Sequence, residues 1–123
     1  MTRDFDLVTV SAPDGAVVIA VEGELDMLTA PELKARLFAV IGVHAPGKIV
    51  VDLTDCEFVD STALAAFVQA RNALDGDRVR LALVISSPSI LRVFGITQLD
   101  HVFAIYPDRA SALGSVRPAG DSA

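Results

Sequence analysis

Several short runs of apolar residues along the chain have the length that is typical of β-strands. Residues 7–10 and 16–21 are apolar runs on either side of a Pro-Asp-Gly turn, which predicts a β-hairpin. Residues 49–53 and 79–85 are nearly continuous apolar runs, typical of strands that are covered on both faces. A last short strand is predicted over residues 102–106.

The segment after the hairpin predicts a polar loop and then a helix. Residues 22–26 are mostly acidic and are interpreted as the loop by which the chain leaves the second strand. Thr29 is suited to cap the following helix, and Pro31 is tolerated in its first turn. The helix is predicted to end at Gly42, and His44 to lie in the loop beyond it.

The remaining segments predict two further helices and a final helical turn. Residues 54–60 are interpreted as a loop that leads into a helix over residues 62–74. Ser87 precedes Pro88 and predicts the capped start of a third helix, which Gly95 is expected to end. A last helical turn is predicted over residues 107–113.

Strands and helices therefore alternate in the order ββαβαβαβα. Such alternation predicts an α/β fold with a mostly parallel mixed sheet of about five strands, an antiparallel N-terminal edge strand, and three to four packing helices. A chain of 123 residues fits one domain. The domain is predicted over residues 1–113, and residues 114–123 are expected to form a disordered C-terminal tail.

Composition and charge exclude several classes of function. The chain is 52% hydrophobic with a formal net charge of -6, and it has no basic block, which argues against direct nucleic-acid binding and leaves open a basic protein partner. A single cysteine, Cys56, excludes an intrachain disulfide. The N-terminus is too polar for a signal peptide, and the longest apolar run is too short for membrane insertion, so a cytoplasmic protein is predicted.

Catalytic, metal and cofactor chemistry find little support in the sequence. His44 and His101 lack a recognisable catalytic partner, and no nucleophile-elbow, P-loop or dinucleotide-binding motif is present. A small α/β enzyme is therefore the least favoured interpretation, and no cofactor is predicted. Cys56 is interpreted as a small buried apolar residue. Two acidic clusters are interpreted as solvated charge or as complements to a helix N-terminus rather than as a magnesium site: Glu22, Glu24 and Asp26, and Asp52, Asp55, Glu57 and Asp60.

Asp60-Ser61-Thr62 supports two interpretations. Asp and Ser are both preferred caps, so this stretch could simply start the second helix. Alternatively, an exposed Ser61 hydroxyl at a helix N-terminus is a site for a phosphoryl group of about −1.5 to −2 charges, which the helix dipole favours and the nearby acids oppose. Thr62 is a minor alternative target. The small residues that follow, Ala63, Ala65 and Ala66, would leave a flat surface for a partner.

Three segments of the chain resemble one known family. They are GELD at residues 23–26 with Thr29-Ala30 after it, FVDSTAL at residues 58–64, and LRVFGITQL at residues 91–99. Together they resemble the STAS domain, in particular the free-standing bacterial anti-sigma factor antagonists, over about residues 4–113.

The resemblance implies a partner-switching function. In this family the unphosphorylated protein binds an anti-sigma factor, which is also a serine kinase of the GHKL type, and thereby releases a sigma factor. Phosphorylation of the serine matched by Ser61 breaks the complex, and a PP2C-type phosphatase restores it. Asp26 matches an acid that lies near the phosphorylated serine and helps the exchange. The partner-binding residues expected from the resemblance are Glu24, Asp26, Thr29, Ser61, Thr62, Ala63 and Ala65.

Two positions depart from the family pattern, and one alternative function stays open. Ala63 and Gln98 stand where the family usually has glycine, and Gly95 lies three residues before Gln98. The turn after the third helix is therefore expected to differ. The alternative is an adaptor or scaffold subunit of a regulatory or transport complex, which is not phosphorylated.

Overall fold

The computed structural model describes residues 5–44, 47–74 and 80–114. Within these residues the strands are β1 (Asp6–Ser11), β2 (Val17–Leu25), β3 (Lys48–Val59), β4 (Arg80–Val84) and β5 (Ala104–Tyr106). The helices are α1 (Ala30–His44), α2 (Ser61–Leu74), α3 (Pro88–Ile96) and α4 (Arg109–Gly114), with short 3-10 turns at Pro13–Gly15 and Leu99–His101. None of the helices in the described part of the chain is long and apolar enough to cross a membrane.

The sheet has the predicted topology. Its strand order is β1-β2-β3-β4-β5, with β1 antiparallel to β2 and the other neighbours parallel. The hairpin places Leu7 opposite Val21 and Ser11 opposite Val17. The prediction of a mostly parallel mixed sheet with an antiparallel N-terminal edge strand is confirmed.

Helices cover both faces of the sheet, as the continuous apolar runs predicted. One face packs against α1, α2 and α3 in a large core, at whose centre Phe67, Phe94 and Phe103 lie with ring centroids 6.2 to 6.3 Å apart. On the opposite face, Ala112 of α4 packs against a smaller cluster around Val50 and Val84.

Polar contacts fasten the short helix α4 to the sheet. The ammonium group of Lys48 donates to the Ala112 carbonyl at 2.9 Å, and Arg109 Nε donates to Asp52 Oδ2 at 2.9 Å. Burial raises the pKa of Asp52, but hydrogen bonds from Thr54 and the Arg109 guanidinium together lower it further, so the net pKa lies below its usual value. Asp52 is therefore a buried, paired carboxylate and not part of an acidic cluster.

Two segments that the sequence predicted as loops continue strands. Residues 22–25 extend β2 and residues 54–59 extend β3. The pairing of β2 with β3 shifts register between Ala20 and Glu22 and between Gly23 and Glu24, which breaks the regular alternation of apolar and polar residues. In the described residues β4 pairs with β3 only as far as Asp52, and β1 pairs with β2 only as far as Glu22. Residues 22–25 and 55–59 therefore extend beyond the rest of the sheet and are here termed the β2–β3 ribbon.

The two glycines predicted to end helices lie inside them. Gly42 is within α1, which continues to His44, and Gly95 is within α3, which continues to Ile96. The chain leaves α3 through Gln98, whose φ of 63° is the left-handed conformation that glycine usually adopts at a helix end. The left-handed turn is therefore formed without glycine, and β5 begins at Ala104 rather than at residue 102.

Two predictions fall wholly or partly outside the described residues. The expected tail begins at Gly114, which is the last residue of α4, and its other residues, 115–123, are outside the described part of the chain. The start of the strand predicted at residue 79 is also outside it.

Candidate functional site

Asp60 is the residue that caps α2. Its Oδ1 accepts the Ala63 backbone N–H at 3.0 Å, and its carbonyl accepts the Leu64 N–H at 3.1 Å. The Asp60 N–H donates to the Leu25 carbonyl at 3.0 Å. One residue thus satisfies donors of the first helical turn and ties the start of α2 to the end of β2.

Ser61 is the first residue of α2, and its side chain is exposed. Within the described ranges its hydroxyl makes no hydrogen bond, since the cap is supplied by Asp60. Thr62, the next residue, is also exposed. Of the two interpretations of this stretch, capping belongs to Asp60, and the Ser61 hydroxyl is open to chemistry.

The turn between β2 and α1 is held rigid by two side chains. Asp26 Oδ1 accepts the N–H groups of Leu28 and Thr29 at 2.9 and 3.1 Å. The Thr29 hydroxyl donates to the Glu24 carbonyl at 2.7 Å and accepts the Asp26 N–H at 2.9 Å. Thr29 was predicted to cap α1, but its hydroxyl bonds back toward the strand, so its role is to fold residues 24–29 into a fixed turn.

The outer surface of the β2–β3 ribbon is acidic. Glu22 lies opposite Asp55, Glu24 lies opposite Phe58, and all four side chains, together with that of Glu57, are exposed. Among the described residues, no cluster of histidine, cysteine and acidic side chains has the grouping that a metal ion needs. The acids of the ribbon therefore act as surface charge next to the start of α2.

Cys56 lies beneath this surface, on the core side of the ribbon. It is 3% exposed, and its Sγ lies 3.4 Å from the Phe58 carbonyl, to which it donates. Burial raises the pKa of its thiol, so the less nucleophilic protonated form is favoured. This agrees with its prediction as a small buried residue.

A groove runs between α1 and α2 beside Ser61. Its volume is about 220 Å³, and small side chains on both helices leave it open. The residues that line it are Ala30, Pro31, Lys34, Thr62, Ala65, Ala66 and Gln69. Thr62, the residue after Ser61, lines this groove together with Ala65 and Ala66, so the surface is concave next to the exposed Ser61 hydroxyl.

The structure separates the expected partner-binding residues by exposure. Asp26 is half-buried, whereas Thr29 and Ala63 are 2% and 0% exposed, so the side chains of these last two present almost no surface to a partner. Ala63 points into the core because the third position of α2 faces the sheet. The exposed members of the set are Glu24, Ser61, Thr62 and Ala65.

The sequence did not single out two large apolar residues beside this site. Met27 and Leu28 lie in the turn after β2 and are 69% and 66% exposed. Phe58, on the ribbon, is 48% exposed. The available signal was an apolar pair between Asp26 and Thr29, in a segment otherwise interpreted as polar.

A five-stranded sheet with this topology and an exposed serine at the start of α2 define the class of the protein. The STAS domain model matches residues 8–112, and the chain belongs to the STAS domain family. Relatives with similar sequences are named anti-sigma factor antagonists. The anti-sigma-B factor antagonist of Listeria monocytogenes is 37% identical over 87 residues, which cover 71% of this chain and 75% of that protein.

Two mycobacterial proteins extend the similarity along the chain. The anti-sigma-F factor antagonist RsfB of Mycobacterium tuberculosis is 28% identical over 110 residues, which cover 89% of this chain and 88% of that protein. The crystal structure of an anti-sigma factor antagonist from Mycobacterium paratuberculosis superposes with a TM-score of 0.85 at 32% identity, covering 94% of this chain and 96% of that one. The likeness therefore includes the fold and extends over most of the chain.

Proposed function

We propose that this protein is an anti-sigma factor antagonist that is switched off by phosphorylation of Ser61. In the unphosphorylated form it binds an anti-sigma factor that is also a GHKL-type serine kinase, and a sigma factor is released. A PP2C-type phosphatase returns the phosphorylated form to the binding state. The protein is a binder and a substrate in this cycle, not a catalyst.

The observation that carries the proposal is the division of labour between Asp60 and Ser61. Because Asp60 caps α2, the Ser61 hydroxyl can be modified without loss of the cap. In the transfer, the bond from Ser61 Oγ to the γ-phosphorus of ATP forms, the bond from that phosphorus to the β–γ bridging oxygen breaks, ADP leaves, and a base on the kinase takes the hydroxyl proton.

The consequence of phosphorylation is a local change in charge. A phosphoryl group brings about −1.5 to −2 charges to the first residue of α2. The helix N-terminus can accommodate this charge, while the carboxylates of Asp60 and Asp26 repel it. The surface therefore changes sharply in charge without unfolding of the domain, and a partner bound through this surface is released.

Asp26 is proposed to assist the phosphoryl exchange. The support for this role is that Asp26 and Ser61 are close along the structure. Asp26 follows Leu25, Ser61 follows Asp60, and the Leu25 carbonyl accepts a hydrogen bond from the Asp60 N–H. Asp26 Oδ1 also holds the turn, so a change to alanine would disturb the backbone. Asp26→Asn keeps an acceptor oxygen while it removes the charge.

The test uses the anti-sigma factor kinases encoded by the native host. Each kinase is purified and then mixed with this chain and ATP. Ser61→Ala is expected to abolish phosphorylation and to keep the Kd within about twofold, whereas Ser61→Asp weakens binding at least about tenfold, or about 1.4 kcal/mol. Phosphopeptide mass spectrometry and calorimetry measure the two effects. Thr62→Ala removes the neighbouring exposed hydroxyl and is the matched control.

Asp26→Asn is expected to slow phosphoryl transfer to Ser61 without a change in the unfolding midpoint.

Two outcomes would contradict parts of the proposal. Phosphorylation of Ser61→Ala at the wild-type stoichiometry would show that Ser61 is not the target. A wild-type chain that neither binds nor is phosphorylated by any of these kinases would exclude the antagonist function and favour a constitutive adaptor.

A further inference from the structure

Met27 and Leu28 are held outward by a rigid turn. They occupy its two central positions and are 69% and 66% exposed. The Thr29 N–H donates to the Asp26 carbonyl at 3.1 Å, and Asp26 Oδ1 accepts the Leu28 N–H at 2.9 Å. The backbone that presents them is thus fixed by the protein itself. Two adjacent large apolar side chains on a fixed backbone form a local patch that water solvates poorly.

The patch lies close to Ser61. The Leu25 carbonyl is 3.0 Å from the Asp60 N–H, and Ser61 follows Asp60. Met27 and Leu28 are two and three residues from Leu25, and Ser61 is one residue beyond Asp60. At about 3.8 Å per residue, the path that joins Leu28 to Ser61 through this hydrogen bond is no longer than roughly 22 Å, and that from Met27 is shorter.

A kinase that acts on Ser61 forms an interface wide enough to cover this patch. Phosphoryl transfer requires the reacting atoms to approach to about 3–3.5 Å, so the kinase must sit directly on the start of α2. A stable interface buries about 800 Å² on each partner, which is a disc of roughly 16 Å radius. Such a disc is roughly 32 Å across, so an interface that contains Ser61 is wide enough to include the turn that carries Met27 and Leu28.

The charges beside the patch indicate the chemistry of the surface that covers it. Glu22, Glu24 and Glu57 are exposed on the β2–β3 ribbon, next to the turn. Carboxylates at the rim of an interface favour Lys and Arg on the partner, and an exposed methionine suits an apolar recess because its side chain adapts to the recess shape.

We propose that Met27 and Leu28 are the main apolar contacts through which this chain binds its anti-sigma factor. They insert into an apolar recess of that protein, whose rim carries basic side chains that face the ribbon. The pair thereby helps to determine which anti-sigma factor the chain binds. This inference rests on the proposed function.

The experiment compares two exposed apolar sites. The variant with Met27→Ser and Leu28→Ser is the test, and Ile96→Ser is the matched control, because Ile96 is 74% exposed. Ile96 is the last residue of α3, which starts four residues after the carboxyl end of β4, so the helix rise carries Ile96 about 13 Å away from its own start.

Binding is measured by surface plasmon resonance to whichever of the host's purified anti-sigma factor kinases binds the wild-type chain. The double variant is expected to weaken the Kd at least about 30-fold, mainly through faster dissociation, with an unchanged unfolding midpoint because both side chains are already exposed. Ile96→Ser is expected to stay within about twofold. Ser61 of the double variant is still phosphorylated at saturating kinase.

The possible failures are distinguishable. A double variant that binds as tightly as the wild type, or an Ile96→Ser variant that loses as much affinity, overturns this role of Met27 and Leu28 and leaves the proposed function in place. A wild-type chain that binds none of these kinases overturns the proposed function and this role with it.

Discussion

Two adjacent residues, Asp60 and Ser61, have separate tasks that their types do not reveal. Both are good cap residues, and either could have satisfied the first N–H groups of α2. The carboxylate of Asp60 reaches the Ala63 N–H at 3.0 Å, while Ser61 is already inside the helix. Ser61 can therefore be altered without loss of the cap of α2.

This division of tasks predicts unequal effects on stability. Asp60→Ala should lower the free energy of unfolding by about 1 kcal/mol because the Ala63 N–H loses its acceptor. Ser61→Ala should change it by less than about 0.5 kcal/mol because the hydroxyl is exposed. Urea denaturation measures both, and Asp60→Asn, which keeps an acceptor oxygen, is the control. Equal losses for Asp60→Ala and Ser61→Ala would mean that the cap has been assigned to the wrong residue.

Among the elements, the β2–β3 ribbon decides where the site lies. Beyond Asp52 the two strands continue past β4, and they carry the turn at Asp26 and the start of α2 at the same end. The connection between the Leu25 carbonyl and the Asp60 N–H fixes one against the other. Paired strands thus replace two loops that would have left the Ser61 surroundings poorly defined.

The short helix α4 is fastened to the sheet by a buried carboxylate, that of Asp52. Helix and carboxylate lie on the face of the sheet opposite to α1, α2 and α3. Asp52→Asn should lower the free energy of unfolding at pH 7 by about 1–3 kcal/mol, because the charge-assisted hydrogen bond from Arg109 is lost. The pKa of Asp52 is lowered in the folded state. Its contribution is therefore fully present above the unfolded-state pKa of about 4 and disappears as the pH falls through the lower folded-state value.

Denaturant unfolding at several pH values from about 7 down to 3 measures this effect. The difference between wild type and Asp52→Asn should shrink as the pH falls below about 4. Asp55→Asn, which changes an exposed carboxylate in the same strand, is the control and should cost less than about 0.5 kcal/mol. A deficit of Asp52→Asn that stays constant down to the lowest pH would contradict the role of its charge.

At the scale of the whole molecule, the net negative charge includes exposed carboxylates close to the candidate site. The chain carries a formal net charge of -6, and exposed acids of the ribbon lie beside Ser61. Such a field attracts a basic partner over a Debye length of about 10 Å at 0.1 M salt.

Association with the anti-sigma factor should therefore depend on salt. The association rate is expected to fall several-fold between about 0.05 and 0.5 M salt, while the dissociation rate changes little, since long-range steering is what salt screens. Stopped-flow or surface plasmon resonance measures both rates. The variant with Glu24→Gln and Glu57→Gln should flatten the salt dependence, and an unchanged slope in that variant would show that the ribbon does not steer the partner.

Much of the fold was predictable from the sequence because burial is encoded locally. The continuous apolar runs at residues 49–53 and 79–85 indicated strands covered on both faces, and the structure places helices on both faces of the sheet. The order of elements then left a mostly parallel sheet as the favoured arrangement. The three family segments around residues 23–26, 58–64 and 91–99 carried the identification in the same way, as local patterns of residues.

Only the tertiary structure decided the details that make the site. Alternation cannot show that residues 22–25 and 54–59 are strands, because the register shifts between β2 and β3 remove it. Exposure is likewise a property of the packed chain: Thr29 and Ala63 are buried, while Met27 and Leu28 are exposed. A residue's type limits the hydrogen bonds that it can form, but its actual partner depends on segments distant in sequence. Here the hydrogen bond from the Asp60 N–H to the Leu25 carbonyl places the start of α2 beside the turn at Asp26.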